Sequence, residues 1–142
     1  MIQTITPATS ANEMDRDVAL VIEDDPDTRL RLCAILRTGG WRVYQAPDAE
    51  RGLLLAREHV PDVILLDLAL PRMSGLEVLR ELKSARWADQ PTSVVVVSAF
   101  AMLMRLPDLR LADAVVQKPF KSAELLEQVT CAQAGRLRPV FA

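Results

Sequence analysis

The chain has 142 residues, of which 50% are hydrophobic and 25% are charged, a composition typical of one globular domain with a buried core. Its net charge of -2 provides no basic field for binding nucleic acid. No apolar run approaches the roughly 20 residues needed to span a bilayer, and no signal peptide is visible. Cys33 and Cys131 lack the spacing of a zinc site or a disulfide framework. We therefore expect a cytoplasmic protein without membrane insertion.

Strands and helices are predicted to alternate along the chain, after an N-terminal arm over residues 1–17 that shows little periodicity. Pro26 stands at the favoured first position of a helix, with Asp25 as its N-cap. Ser74 and Glu77 have the spacing of a capping box. The predicted elements are a strand over 18–22, a helix over 26–38, a strand over 41–44, a helix over 49–58, a strand over 62–67, a helix after Ser74, strands over 92–98 and 114–116, and a helix over 123–134.

The segment Asp62–Asp67 is central to the predicted fold, because four apolar residues between two acids are typical of a strand buried on both faces. Five such strands alternating with helices predict an α/β fold with a parallel, doubly wound sheet. Asp67 would then lie at the carboxyl edge, where such sheets bind ligands. In residues 99–113 the apolar pattern favours a helix, but Pro107 interrupts it. The fourth helix is therefore predicted to be short or distorted.

Polar side chains stand at the carboxyl ends of four predicted strands: Asp24 and Asp25, Asp67, Ser98, and Lys118. Three carboxylates close together repel one another unless a cation compensates, and hard oxygen ligands favour Mg²⁺. Lys118 suits a phosphate oxygen, and Ser98 offers a hydroxyl to the same group. Asp67 remains as a nucleophile towards phosphorus. Taken by itself, Asp25 could equally be only the N-cap before Pro26.

These residues resemble the receiver domain of bacterial two-component response regulators. The resemblance covers roughly residues 18–133 and leaves 134–142 as a tail. It rests on four motifs: Glu23-Asp-Asp-Pro-Asp27, Leu65-Leu-Asp-Leu-Ala-Leu-Pro71 with Met73-Ser-Gly75, Val97-Ser-Ala99 and Lys118-Pro-Phe120.

The resemblance implies a flavodoxin-like sheet with strand order 2-1-3-4-5 and helices on both faces. It implies that Asp67 accepts phosphate from a histidine kinase or a histidine phosphotransfer protein, with Lys118 and Ser98 assisting. It also implies Mg²⁺ bound by Asp24, Asp25, Asp67 and the backbone carbonyl of Ala69, and a cis bond between Lys118 and Pro119. Such a domain catalyses only its own phosphorylation and dephosphorylation, and it would be a monomer or a weak dimer.

The sequence departs from the family at Val115, where relatives usually have the Tyr or Phe that turns inward on activation. The sequence therefore does not indicate how activation would spread from Asp67 past this position. About nine residues follow the last predicted helix, too few for an output domain. This predicts either a stand-alone receiver or a receiver cut from something larger, and the downstream effector stays unknown.

Four residues near the predicted site are candidates for docking a kinase: Leu30, Ala34, Pro119 and Phe120. Exposed apolar residues beside a site favour docking, and the first helix commonly has this role in the family. Ordinary core packing is the rival interpretation for Leu30 and Ala34.

Two other function classes are compatible with parts of this sequence. A degenerate receiver could keep the fold and bind proteins without phosphorylation, as Val115 and the interrupted 99–113 segment suggest. An aspartate-nucleophile phosphatase would carry a second acid two residues after its nucleophile, where this chain has Ala69. Neither a P-loop nor a G-x-G-x-x-G motif is present, so a nucleotide-binding fold is disfavoured.

Overall fold

The structure is a computed structural model that describes residues 17–87, 89, 91–99 and 107–137. Strands and helices alternate through these residues, as the sequence predicts. The strands are β1 (Val18–Ile22), β2 (Arg42–Ala46), β3 (Val63–Leu66), β4 (Ser93–Ser98) and β5 (Ala114–Gln117). The α-helices are α1 (Pro26–Thr38), α2 (Ala49–His59), α3 (Gly75–Leu82) and α4 (Ser122–Leu137), and short 3-10 helices cover Ala85–Trp87 and Pro107–Leu111.

All five strands pair in parallel, in the order β2-β1-β3-β4-β5. This confirms the predicted flavodoxin-like, doubly wound sheet. The register places Ile22, the last residue of β1, opposite both Ala46 of β2 and Leu66 of β3. The carboxyl ends of these three strands are therefore level, and the residues that follow them are brought to one edge of the sheet.

The sheet separates two hydrophobic cores, because successive side chains of a strand point to opposite faces. On one face Leu20 and Ile64 pack with buried residues of α2 and α3. On the other face Val21 and Leu65 pack with buried residues of α1 and α4. Burying each such side chain contributes about 1.5–3 kcal/mol relative to leaving it exposed. Helices on both faces explain why β3 and β4 read as continuous apolar runs.

Side chains cap three helix starts, two of them, at Asp25 and Ser74, as predicted. The Asp25 side chain accepts a hydrogen bond from the Thr28 amide, and Pro26 is the first residue of α1. Asp48 caps α2 in the same way through the Arg51 amide. At the start of α3, Ser74 and Glu77 form the predicted capping box. The capping residues at these three helix starts are thus local sequence signals, and the folded structure uses each of them.

The last helix differs from the prediction, because α4 continues to Leu137 and enters the segment that the sequence assigns to the tail. Gly135 lies within it, and one glycine lowers helix propensity by only about 1 kcal/mol, which does not by itself end a helix. The interrupted segment after β4 contains the 3-10 helix Pro107–Leu111, and the rest of its predicted helix, over 100–106, lies outside the described residues. So do residues 1–16 of the predicted arm and residues 138–142. Within the described ranges, every helix is too short or too polar to cross a lipid bilayer.

Candidate phosphoacceptor site

Asp67 follows β3 directly and is nearly enclosed, with 6% of its surface exposed. Its amide donates to the carbonyl of Ile22 across the sheet edge at 3.0 Å. The start of α3 lies against its backbone, and Gly75 permits this approach: a Cβ there would overlap the Asp67 carbonyl oxygen and lie 2.5 Å from the Cα of Leu68. The backbone that carries the carboxylate is therefore held by β1 on one side and α3 on the other.

Three acids meet at this edge: Glu23, Asp24 and Asp67. Each offers a carboxylate oxygen, and these oxygens lie within 4.8 Å of one another. Glu23 is buried, with 1% exposed, whereas Asp24 is exposed to solvent. A group of hard oxygen donors, open on one side, has the chemistry that Mg²⁺ prefers, since that ion binds through one or two carboxylates and keeps some of its waters.

Asp25 is placed differently from the sequence prediction, which paired it with Asp24 as a metal ligand. Its carboxylate oxygen accepts from the Thr28 amide at 2.9 Å and from the Thr28 hydroxyl at 2.6 Å. These two hydrogen bonds lower its pKa. The structure therefore uses Asp25 as the helix cap and brings Glu23 to Asp67 in its place, so that the acidic pair beside Asp67 is Glu23 and Asp24.

Glu23 was missed because three acids follow β1 in a row, and the sequence alone does not distinguish which of them face Asp67. A glutamate with so little exposure is unusual unless it is paired, and it has such a partner in Lys118. A sequence signal for Glu23 does exist. Glu23 directly follows β1 just as Asp67 directly follows β3, and the two strands end in register at Ile22 and Leu66.

Lys118 follows β5 and reaches into the acidic cluster. Its Nζ atom lies 2.7 Å from a carboxylate oxygen of Glu23 and 3.7 Å from a carboxylate oxygen of Asp67. The peptide bond between Lys118 and Pro119 is cis, as the resemblance implies. Lys118 thus supplies a cation beside Asp67, and in this structure its nearer carboxylate is that of Glu23.

Burial is the main reason that the pKa of Glu23 rises from its ordinary value of 4.5 to about 7. Asp67 raises the pKa further through a hydrogen bond and charge repulsion, while Lys118 lowers it. A raised pKa is the expected result of placing carboxylates together in a poorly hydrated site. Keeping these carboxylates ionised therefore costs free energy, and a bound cation would reduce that cost.

The remaining predicted site residues, Ser98 and Ala69, are hydrogen-bonded to Lys118 and Asp67. Ser98, the last residue of β4, is buried, and its carbonyl accepts from the Lys118 amide at 2.7 Å. Ala69 is exposed in the loop after β3, and its amide donates to the Asp67 carboxylate at 3.1 Å. Val115 is half-buried and packs on the core beneath α2 and α3.

The four docking candidates divide into two groups. Leu30 is 56% exposed, and Ala34 and Pro119 are also exposed. Phe120 is different, because it is 6% exposed and packs in the core on the α1 and α4 face. Arg31 of α1 covers its ring at 4.8 Å from the ring centroid and donates to its carbonyl at 3.1 Å. Phe120 therefore holds the loop after β5 against α1 and does not present its ring as a contact surface.

Comparison with known proteins agrees with this geometry. Residues 19–130 match the family model described as the response regulator receiver domain. The chain belongs to this family. As a receiver domain of two-component response regulators, it is a signalling domain. The family match covers the sheet, the acidic cluster and Lys118.

Among curated proteins, the receiver is similar to the DNA-binding response regulator MtrA of Mycolicibacterium smegmatis, with 36% identity over 80% of this chain and 49% of that protein. It is 30% identical to the transcriptional regulatory protein PdtaR of Mycobacterium tuberculosis, over 96% of this chain and 65% of that protein. The chain thus spans about half to two thirds of the length of these relatives.

Among solved structures, the receiver resembles the response regulator TrrA of Thermotoga maritima, crystallised in complex with Mg²⁺-BeF. The TM-score is 0.75 at 28% identity, covering 82% of this chain and 98% of that one. A sensor protein from Polaromonas matches with a TM-score of 0.78 at 26% identity, covering 85% of this chain and 98% of the other. The match to nearly the whole of both structures agrees with the receiver fold described above.

Proposed function

We propose that this receiver accepts a phosphoryl group on Asp67 from a phosphohistidine of a histidine kinase or a histidine phosphotransfer protein, and signals through changed surface contacts. The observation that carries the proposal is the position of Lys118. Its ammonium lies 3.7 Å from the Asp67 carboxylate, inside a cluster of three acids at the edge of the sheet. A cation shared among repelling carboxylates is suited to receive a dianionic group there.

In the proposed reaction, an Asp67 carboxylate oxygen forms a bond to phosphorus while the bond from phosphorus to the donor's imidazole nitrogen breaks. Lys118 neutralises charge on the phosphoryl oxygens, and the Ser98 hydroxyl is a candidate donor to the same group. Glu23, Asp24 and Asp67, with the Ala69 carbonyl, are the residues that would hold Mg²⁺. Bound there, Mg²⁺ supplies charge neutralisation for the transferred phosphate. The Mg²⁺-BeF complex of TrrA supports a magnesium requirement in this receiver.

The test is intact mass after incubation with acetyl phosphate and MgCl₂, beside an Asp67→Asn variant. We expect one added phosphate that requires Mg²⁺, is labile at alkaline pH and is absent from the variant. The same mass gain in Asp67→Asn would place the phosphate elsewhere. No adduct on the unmodified chain, together with no Mg²⁺-dependent stabilisation, would favour the degenerate binding module, the second candidate that Val115 supports.

We further propose that the exposed face of α1 docks the phosphate donor through Leu30 and Ala34. Leu30→Glu should then slow phosphoryl transfer from a phosphorylated histidine kinase at least severalfold, because it places a charge in an apolar contact, and leave transfer from acetyl phosphate unchanged. Leu54→Glu is the matched control, since Leu54 of α2 is 48% exposed and Leu30 is 56% exposed. Equal kinase rates for the two variants would remove α1 from the docking surface.

A further inference from the structure

Arg29, in the first turn of α1, is tied to the backbone of the acidic pair. Its Nη1 atom donates to the carbonyl of Glu23 at 2.9 Å and lies 3.4 Å from the carbonyl of Asp24, a longer hydrogen bond. Its Nε atom donates to the side-chain oxygen of Gln45 on β2 at 3.0 Å. One half-buried guanidinium therefore connects α1, β2 and the turn that carries two of the proposed metal ligands.

The turn after β1 is held by bonds of its own and by Arg29. The Asp25 amide donates to the Glu23 carboxylate at 3.2 Å, while Arg29 reaches the backbone carbonyls of Glu23 and Asp24. The Glu23 amide donates to the Ala46 carbonyl at 3.1 Å, which fixes the first residue of the turn to β2. Beyond that point the chain leaves the sheet and enters α1 at Pro26. The two carbonyls that Arg29 binds belong to the residues whose carboxylates face Asp67, so fixing their peptide planes fixes the direction from which the side chains leave.

We propose that Arg29, anchored by Gln45, is a positioning residue that holds Glu23 and Asp24 in place for Mg²⁺. The proposal rests on the proposed function. Arginine suits this role because its planar fork of N–H groups can bond several acceptors in fixed directions, whereas the lysine ammonium is a point charge on a flexible stem. Groups that orient metal ligands in this way commonly change metal affinity by about 10-fold or more when they are removed.

The sign of the change separates positioning from a plain charge effect. Removing a positive charge near a divalent-cation site should tighten Mg²⁺ binding, because the repulsion between the cations is lost. Removing a positioning group should weaken it. Arg29→Lys keeps the charge and loses the fork, and Gln45→Ala keeps every charge and loses the anchor of the guanidinium on β2.

The experiment is a titration of ¹⁵N-labelled protein with MgCl₂, followed by NMR, which reports both the Kd and the integrity of the fold. The variants are Arg29→Gln, Arg29→Lys and Gln45→Ala. Arg37→Gln is the control, since Arg37 is an exposed residue in the last turn of the same helix and its loss changes net charge equally. Thermal unfolding without Mg²⁺ is measured for each.

We expect Mg²⁺ binding to weaken by about 10-fold in Arg29→Gln and Arg29→Lys and by a smaller factor in Gln45→Ala, with Arg37→Gln within twofold of the unaltered chain. Binding in Arg29→Gln that is unchanged or tighter would overturn the inference and leave the proposed function standing. If the Arg29 variants fail to fold, Gln45→Ala decides, and an unchanged Kd there overturns the inference. No Mg²⁺ binding by the unaltered chain overturns both the inference and the proposed function.

Discussion

The acidic run after β1 shows how a single position along the chain decides which carboxylate joins the site. Glu23, Asp24 and Asp25 are adjacent, and composition does not distinguish them. The helix start does, because the Thr28 amide and hydroxyl bind the Asp25 carboxylate. Glu23, in contrast, still follows the direction of β1 and is directed towards Asp67 and Lys118. The proposed choice of metal ligands is thus a consequence of where α1 begins.

This assignment predicts different outcomes for two variants that each remove one negative charge. Asp24→Asn should weaken Mg²⁺ binding by about 10-fold or more, because it removes one of the few carboxylate ligands such a site uses. Asp25→Asn should leave the affinity within about twofold and keep the helix stable, since asparagine caps helices about as well as aspartate. Mg²⁺ titration followed by NMR measures both. Equal weakening by the two substitutions would return Asp25 to the ligand set.

Gly75 leads to a second prediction. Gly75→Ala should destabilise the receiver by about 1–3 kcal/mol, the usual cost of overpacking, because the new Cβ meets the backbone of Asp67 and Leu68. In Gly39→Ala, by contrast, the nearest atom is a side-chain methyl of Leu126 at 2.8 Å, which can rotate away. Urea unfolding of the two variants provides the comparison, and a cost for Gly39→Ala as large as that for Gly75→Ala would contradict this account.

At the scale of elements, the end of α3 is joined to its neighbours by polar contacts. The Glu81 carboxylate accepts from Arg86 at 2.6 Å and from the indole nitrogen of Trp87 at 2.9 Å. Arg57 of α2 lies over the Trp87 ring at 4.3 Å. These contacts connect α2, α3 and the 3-10 helix at Ala85–Trp87 on the face of the sheet opposite α1.

The pKa of Glu81 is lowered, first by the hydrogen bond from Arg86 and then by that from Trp87. Because the folded pKa lies below the unfolded one, this stabilisation is fully present above about pH 4.5 and is lost as the pH falls through the folded pKa. Glu81→Gln should therefore lower the Tm at pH 7. The difference in Tm between this variant and the unaltered chain should shrink towards pH 3.5. Glu127→Gln, an exposed position on α4, is the control. A Tm difference that stays constant with pH would contradict the linkage.

At the scale of the whole molecule, the level carboxyl ends of the strands gather three acids and one lysine at one edge. The rest of the fold offsets the repulsion between these groups, and a cation that binds only the folded state stabilises it further. The gathered charges also explain why a phosphoryl group on Asp67 would alter several elements at once, since β1, β3 and β5 are each followed directly by a residue of the cluster.

Mg²⁺ should accordingly stabilise the folded chain by about 2.7 kcal/mol at a concentration 100 times its Kd. Urea unfolding with MgCl₂ or with NaCl of equal ionic strength separates specific binding from screening. Asp67→Asn should lose most of the gain. A gain of the same size in NaCl, or one that survives Asp67→Asn unchanged, would show that Mg²⁺ does not act at this cluster.

The sheet and the place of Asp67 follow from local features of the amino-acid sequence. Continuous apolar runs such as Val63–Leu66 are typical of strands covered on both faces, and the alternation with capped helices leaves few topologies for them. Because the side-chain pattern and the caps are local signals, they could be recognised without the fold.

The groups that surround Asp67 are set by how the helices and strands pack together. Glu23 meets Lys118 across 95 positions of sequence, and Arg29 reaches Gln45 and the carbonyls of the acidic turn only once α1 lies against β1 and β2. Such contacts depend on the direction in which each side chain leaves its element, and a change of one residue at a strand end reverses that direction. Charged residues in a row therefore look equivalent in sequence, and the packing of α1 makes them different.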